Sequence, residues 1–163
     1  MTDFTTLRTT MVDTQIRPAD ITKFPIIDAM LKVRREMFVP DQMRQTAYTD
    51  SIVCLEGDRI ILDPRSFGKM LDALNIQSDE LVLDIGSGLG YSAAVIGKVC
   101  EAVVALEEDE DMASNSERIL ATEGCLNVAV LQGTLSEGAA KHAPFDVIVI
   151  EGAVCDAGEA ALL

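Results

Sequence analysis

Two acids and three glycines carry the chemistry open to this sequence. Asp84 stands two residues ahead of Gly86, Gly88 and Gly90 follow at alternate positions, and Glu107 lies 19 residues beyond Gly88. Glycines at 86 and 88 let a ligand lie against bare backbone, and amides at a following helix start can meet a carboxylate or phosphate. A carboxylate such as Glu107 can accept hydrogen bonds from both hydroxyls of a ribose, an arrangement that separates a nucleoside from a smaller ligand. A nucleotide-type ligand is implied. The dinucleotide fingerprint asks for glycines at relative positions one, three and six, here Gly86, Gly88 and Tyr91. The third is missing, which disfavours a nicotinamide-binding oxidoreductase.

The elements around these residues must bring them together. Leu81 to Asp84 reads as a strand, and apolar residues at Tyr91, Ala94, Val95 and Val99 give one face of a helix after the glycine turn. Ala102–Leu106 is a buried-strand run closed by Glu107. Asp109, Glu110 and Asp111 then crowd a helix N-terminus, where the dipole favours negative charge. Met112, Ala113, Ser116, Ile119 and Leu120 form that helix's inner face, and Gly124 suits its exit. Further strands are expected at Asn127–Leu131, followed by Gln132-Gly133-Thr134, and at Phe145–Ile150, ending in Glu151-Gly152. Upstream, residues 1–40 read as helical, with Ile26, Ile27, Met30 and Leu31 on one face and Pro25 tolerable only in a first turn. Residues 47–64 read as irregular apart from a short strand at Ile60-Ile61-Leu62. Pro64 permits a helix start, and Phe67, Met70, Leu71 and Leu74 continue it. The fold class is α/β: a Rossmann-like, doubly wound parallel sheet preceded by an N-terminal helical segment, with ligands at the strands' carboxyl ends.

Composition bounds the partners. With 163 residues and 48% hydrophobic content the chain fits one domain with a sizeable core. We divide it into an N-terminal helical segment, 1–64, and a ligand-binding part, 65–163, together one domain. Residues 1–50 carry seven acids and seven bases, so the net charge of −14 lies wholly in 51–163. Nucleic acid is not an expected partner of so acidic a surface. No apolar run of about 18 residues and no basic-then-apolar N-terminus occurs, so neither membrane nor export is indicated and a cytoplasmic protein is expected. Cys54, Cys100, Cys125 and Cys155 form no paired motif and read as free, mostly buried thiols. With His142 as the single histidine, no metal site is expected.

The order D-x-G-x-G-x-G resembles the first motif of the class I S-adenosylmethionine methyltransferases. Other segments carry a narrower resemblance. Val33-Arg34-Arg35-Glu36-Met37-Phe38-Val39-Pro40 is similar to the VPRExFVP segment of protein-L-isoaspartate O-methyltransferases, and Ala47-Tyr48-Thr49-Asp50 to their AYxD. LVLDIGSGLGYSAAVIG, VVALEED, NVAVLQG and PFDVIVIEGA come after them in the family's order. The resemblance implies S-adenosylmethionine as cofactor and the carboxylate of an isomerised aspartyl residue in a damaged protein or peptide as acceptor. Asp84, Gly86, Ser87, Gly88, Gly90, Glu107, Gly133 and Thr134 become the cofactor-binding set. In it Asp84 faces the ammonium or merely caps the loop, Glu107 takes the ribose or merely begins the solvated acidic run, and Gly133 and Thr134 border the adenine or form an ordinary turn. Loss of Glu107 is expected to weaken cofactor binding and to change fold stability little.

The departures lie on the acceptor side. The family pattern AYxDxPLPIGxGQTISxP aligns with 47–64 without a gap, placing its threonine on Ile60 and its serine, the residue usually called catalytic, on Leu62. Leu62 cannot donate a hydrogen bond, so a catalytic residue is not assigned, and a non-catalytic S-adenosylmethionine-binding module or a different acceptor is the alternative. Asp58 and Arg59 replace the family's glycine and glutamine, and Arg34 replaces a proline. Arg59 reads either as a new partner for an acceptor carboxylate or as a surface arginine. Family members carry further strands, whereas this sequence ends at Ala160-Ala161-Leu162-Leu163, within an apparent helix start. A fragment lacking the C-terminal strands is therefore expected, one that alone self-associates through the uncovered edge of 145–150, aggregates, or is only marginally folded.

Overall fold

The computed structural model describes residues 2–153. Cys155 and the helix expected to begin near 160 lie outside the described residues. Helix α1 (Phe4–Met11) is capped by Asp3, whose carboxylate accepts from the amides of Thr5 and Thr6 at 3.0 and 3.2 Å. It runs into a π turn at Val12–Ile16 and a 3₁₀ turn at Arg17–Ala19, which Asp20 ends in the left-handed region at φ 61. The continuous helical piece read from the sequence is thus interrupted, since Pro18 cannot donate its amide. Helix α2 (Phe24–Lys32) restarts it with Pro25 in the first turn, and Ile26, Ile27 and Met30 are buried.

The irregular stretch contains a hairpin that the sequence did not announce. Strands β1 (Val53–Cys54) and β2 (Ile60–Ile61) pair antiparallel, and the turn between them uses left-handed backbone at Gly57 and Asp58. Helix α3 (Pro64–Leu74) comes next, with Asp63 accepting from the Ser66 amide at 2.8 Å and Phe67 and Leu71 buried.

The remaining described residues include strand β3 (Leu81–Ile85), helix α4 (Tyr91–Ile96), strand β4 (Ala102–Glu107), helix α5 (Glu110–Thr122), strand β5 (Val128–Gln132) and strand β6 (Val147–Ile150). All four strands are parallel, in the order β5-β4-β3-β6. Helix α4 stops at Ile96, short of the expected Val99. Gly97 packs so closely that a Cβ there would lie 2.9 Å from Val128, and the chain turns away through tight bonds from Lys98 to Val95 and Val99 to Ile96. Strand β6 starts two residues later than expected because Asp146 is spent at its entry, where its carboxylate accepts from Leu81 N at 2.8 Å.

The two sheet faces are covered differently. Val82, Val103, Ala105 and Val149 join a cluster fed by all five helices, from Met11 and Met30 through Phe67 and Tyr91 to Leu120. Leu83, Ile85, Val104 and Leu106 point the other way, under Leu135, Ala139 and Phe145 from the β5–β6 connection. The chain thus winds on both faces and reverses between β3 and β6, the place where such sheets open a crevice. Residues 1–64 share the first cluster with α3 to α5. Their tie to the rest is also polar: Arg34, where the family has proline, donates to Glu123 at the end of α5 at 2.9 and 2.5 Å. Among the described residues β6 has a strand neighbour on one side only, and no helix there is long and apolar enough to cross a membrane.

Candidate functional site

The carboxyl ends of β3, β4 and β6 deliver three acids to one place. Asp84, next to last in β3, is fully buried. Its Oδ2 accepts from Ser92 Oγ at 2.6 Å, whereas Oδ1 has no partner among the described residues. Burial pushes the Asp84 carboxyl up to about 7, against the bond from Ser92 and with help from the field of Glu107. Glu151, just past β6, is held by its amide on Ile85 O at 3.0 Å. Its Oε1 is likewise buried without a partner, and its carboxyl is raised well above the usual range by burial and by Asp84, while Arg35 opposes the shift. Two neighbouring carboxyls short of partners describe a place made for a cation or a shared proton.

The glycine loop crosses in front of these acids. Gly86, Gly88 and Gly90 have φ of 76, 55 and 92, which only glycine holds without strain. They serve different ends. Gly88 lies under Leu55 of the hairpin, whose Cδ1 would be 2.9 Å from any added Cβ. Gly90 lies against α5, where a Cβ would collide with Ser116 Oγ and crowd Leu120, so it is a packing glycine. The loop amides are largely committed already. Gly86 N and Ser87 N donate to Leu106 O at 2.9 and 3.3 Å, Gly90 N donates to Ser87 O at 2.8 Å, and Gly88 N donates to Glu107. What the loop offers a ligand is therefore a close backbone surface more than a row of free donors. Ser87 is buried, and its hydroxyl lacks a partner among the described residues.

Glu107 is the most heavily used side chain of the region. It is fully buried, and its carboxylate accepts from Gly88 N (2.9 Å), Glu108 N (2.8 Å), Asp109 N (3.0 Å) and Arg59 Nε (3.0 and 3.2 Å). This corrects two expectations. Glu107 is no member of the solvated acidic run, and removing it would strand three loop amides, so the fold cannot be indifferent to its loss. Arg59 is neither a loose surface side chain nor turned toward an acceptor, because Glu107 holds it, with Glu108 3.8 Å away. Gly133 N donates to Glu107 O at 3.0 Å, so the end of β5 joins the same place through backbone; Thr134 is exposed and begins a short 3₁₀ turn. His142 is exposed, as is Cys54, while Cys100 and Cys125 are buried; no metal-binding cluster occurs among the described residues.

On the N-terminal side Arg35 organises the segment in which Leu62 lies. Fully buried, it donates from Nε to Ala47 O at 2.6 Å and from Nη2 to Leu62 O at 2.8 Å, and it stacks on the Tyr91 ring at 4.6 Å. Its Nη1 and the Tyr91 hydroxyl have no partner among the described residues. Behind it Arg8 donates to the Tyr48 hydroxyl at 3.0 Å, and Tyr48 donates to Glu36. Sequence reasoning placed Arg35 in a motif without giving it a task and passed over Glu151 and Ser92. Strand alternation was the available signal for Glu151, since it continues the side of β6 on which Val149 is buried.

The buried Asp84 carboxyl has a stability consequence. Folded, it holds its proton to about pH 7, against an ordinary value of 3.8. Its contribution is therefore fully present below the unfolded value and is lost as pH rises through the folded one. Asp84→Asn cannot ionise, so its stability relative to the parent should climb between pH 4 and 7, by at most about 1.4 kcal/mol per pH unit, and level off above. Urea unfolding across that range checks this; parallel pH profiles for the two proteins would contradict it.

Known proteins resemble the chain over nearly its whole length. Residues 7–162 match the family model for protein-L-isoaspartate(D-aspartate) O-methyltransferase. A protein-L-isoaspartate O-methyltransferase of Koribacter versatilis is 35% identical over 156 residues, covering 96% of this chain and 70% of that relative. Among solved structures, one protein-L-isoaspartate O-methyltransferase superposes with a TM-score of 0.81 at 23% identity, over 95% of this chain and 51% of its own. A putative member from Plasmodium falciparum, solved with S-adenosyl-L-homocysteine, gives 0.80 at 19% identity over 99% and 79%. The chain thus spans about half to four fifths of the proteins it matches. With the α/β parallel sheet and the motif order in agreement, it belongs to the protein-L-isoaspartate(D-aspartate) O-methyltransferase family.

Proposed function

We propose that this chain binds S-adenosylmethionine at the ends of β3, β4 and β6 and directs methyl transfer to the carboxylate of an isomerised aspartyl residue in a damaged protein or peptide. The observation that carries the reading is the orphaned Asp84 Oδ1, a buried acceptor beside a second buried carboxyl in the crevice where the sheet reverses. A ligand ammonium fits that atom by charge and by hydrogen bonding, and its approach would draw the Asp84 carboxyl back to its ionised form. The ligand of the Plasmodium falciparum structure supports the same cofactor class, and the relatives' names support the methyl transfer.

Each residue then has a task. Asp84 holds the ammonium, Gly86, Ser87 and Gly88 let the ligand lie on backbone, Gly90 keeps α5 against the loop, Glu107 meets the ribose, and Gly133 and Thr134 border the base. When bound, the cofactor would supply an electrophilic methyl on a sulfonium to the acceptor carboxylate oxygen, the C–S bond breaking to leave a neutral thioether. The protein's part is to position and to exclude water, because an ionised acceptor needs no proton removed. Residues 1–64 serve the acceptor side: Arg35 ties the chain at Ala47 to the chain at Leu62 and so fixes that wall. Residue 62 contributes its carbonyl to this tie and has no hydroxyl to offer an acceptor. That one substitution favours the second reading, a cofactor-binding module without catalysis or one with another acceptor.

Incubation with methyl-labelled donor and an isoaspartyl peptide separates the two. We expect base-labile label on the peptide and none on its normal aspartyl counterpart. Donor binding without transfer would contradict the enzymatic reading and leave the module.

A further inference from the structure

Arg59 reaches the candidate site from the β1–β2 hairpin, whose turn is closed by Leu55 N on Arg59 O at 2.8 Å and Arg59 N on Glu56 O at 3.2 Å. Its side chain is 20% exposed and bridges both oxygens of the fully buried Glu107. Leu55 of the same hairpin rests on Gly88. One short element therefore covers the glycine loop and the strand-end acid together.

The acceptor capacity of Glu107 is nearly exhausted. A carboxylate has about four lone-pair sites. Three are taken by Gly88 N, Glu108 N and Asp109 N, which belong to the loop and to the start of α5 and cannot leave without local unfolding. The guanidinium of Arg59 lies across what remains. A ribose hydroxyl needs the one site that remains, so ribose and Arg59 cannot both hold Glu107. We propose that Arg59 is a built-in competitor for the cofactor's ribose: it pairs the buried Glu107 charge while the site is empty and must be displaced, with hairpin residues 53–61, for the cofactor to seat. Glu108, 53% exposed and already 3.8 Å from Arg59 Nη2, receives the displaced guanidinium at the rim. The pair spares Glu107 the penalty of an uncompensated buried charge, and cofactor affinity is reduced by the fraction of molecules in which the hairpin is latched.

This inference rests on the proposed cofactor binding, and calorimetric titration with S-adenosylhomocysteine on the whole chain separates their failures. Arg59→Gln removes the charge and keeps much of the side chain's reach; Arg59→Lys keeps the charge and loses the fork. We expect Arg59→Gln to melt at a lower temperature than the parent without ligand, yet to bind S-adenosylhomocysteine about tenfold more tightly, as removing a latch closed in about nine molecules of ten would do. Arg59→Lys should fall between the two, and serves alone if the glutamine variant does not fold. A purely structural contact would lower stability and affinity together. Unchanged or weaker binding by the variants overturns the latch alone, whereas no binding by parent or variants overturns the cofactor reading and the latch with it.

Discussion

The carboxylate of Glu107 ties together the end of β4, the glycine loop, the turn into α5 and the hairpin. Its backbone ends β4, and its oxygens take amides from the glycine loop and from the turn into α5 as well as the guanidinium from the hairpin. Charge-assisted bonds to a fully buried carboxylate contribute about 1.5–3 kcal/mol each, more than neutral ones, and leaving such a group without them would be costlier still. Loop shape, helix entry and hairpin position are thereby set by one side chain. Asp109 then caps α5 through the Met112 amide at 2.8 Å, so the helix start is fixed from both sides.

A second constraint is electrostatic. Asp84 and Glu151 lie at the ends of adjacent strands on the sheet face that looks toward the N-terminal segment, and the field of Asp84 helps raise the Glu151 carboxyl. Arg35 supplies the nearest opposing field, yet its own bonds go to the carbonyls of Ala47 and Leu62 and its face to Tyr91. The result is a buried acidic pair left partly uncompensated, next to a cation already committed to the carbonyls of Ala47 and Leu62. Such polar groups are tolerated in a folded chain when a ligand completes them. The same arrangement ties the 1–64 segment to the main hydrophobic cluster: Phe38 and Arg35 meet the ring of Tyr91, which Phe67 of α3 also touches.

Much of this was legible in the residues. The apolar runs ending in Asp84 and Glu107, the glycines between strand and helix, and the acids before Met112 each obey local rules of strand burial, left-handed backbone and helix capping. What escaped depends on approach between distant residues. The hairpin has strands of two residues, too short for alternation to register, and its one local sign was Gly57-Asp58. Nothing in the sequence tells Arg59 that Glu107 lies 3.0 Å away, 48 positions on. Gly90 resembles its two neighbours in the motif, and only its contact with Ser116 and Leu120 shows that it serves packing. Strand boundaries shifted by one or two residues where Asn127 and Asp146 spend their side chains on neighbouring backbone.

The central claim is that Asp84 waits, buried and protonated near neutrality, for a cationic ligand group. Carbon-13 NMR of the Asp84 carboxyl, assigned by its absence from an Asp84→Asn sample, tests it most directly. Without ligand the signal should titrate with a midpoint near 7; with saturating S-adenosylhomocysteine the midpoint should drop well below that, because an adjacent ammonium favours the carboxylate. A midpoint that stays in place when the ligand binds would contradict the account.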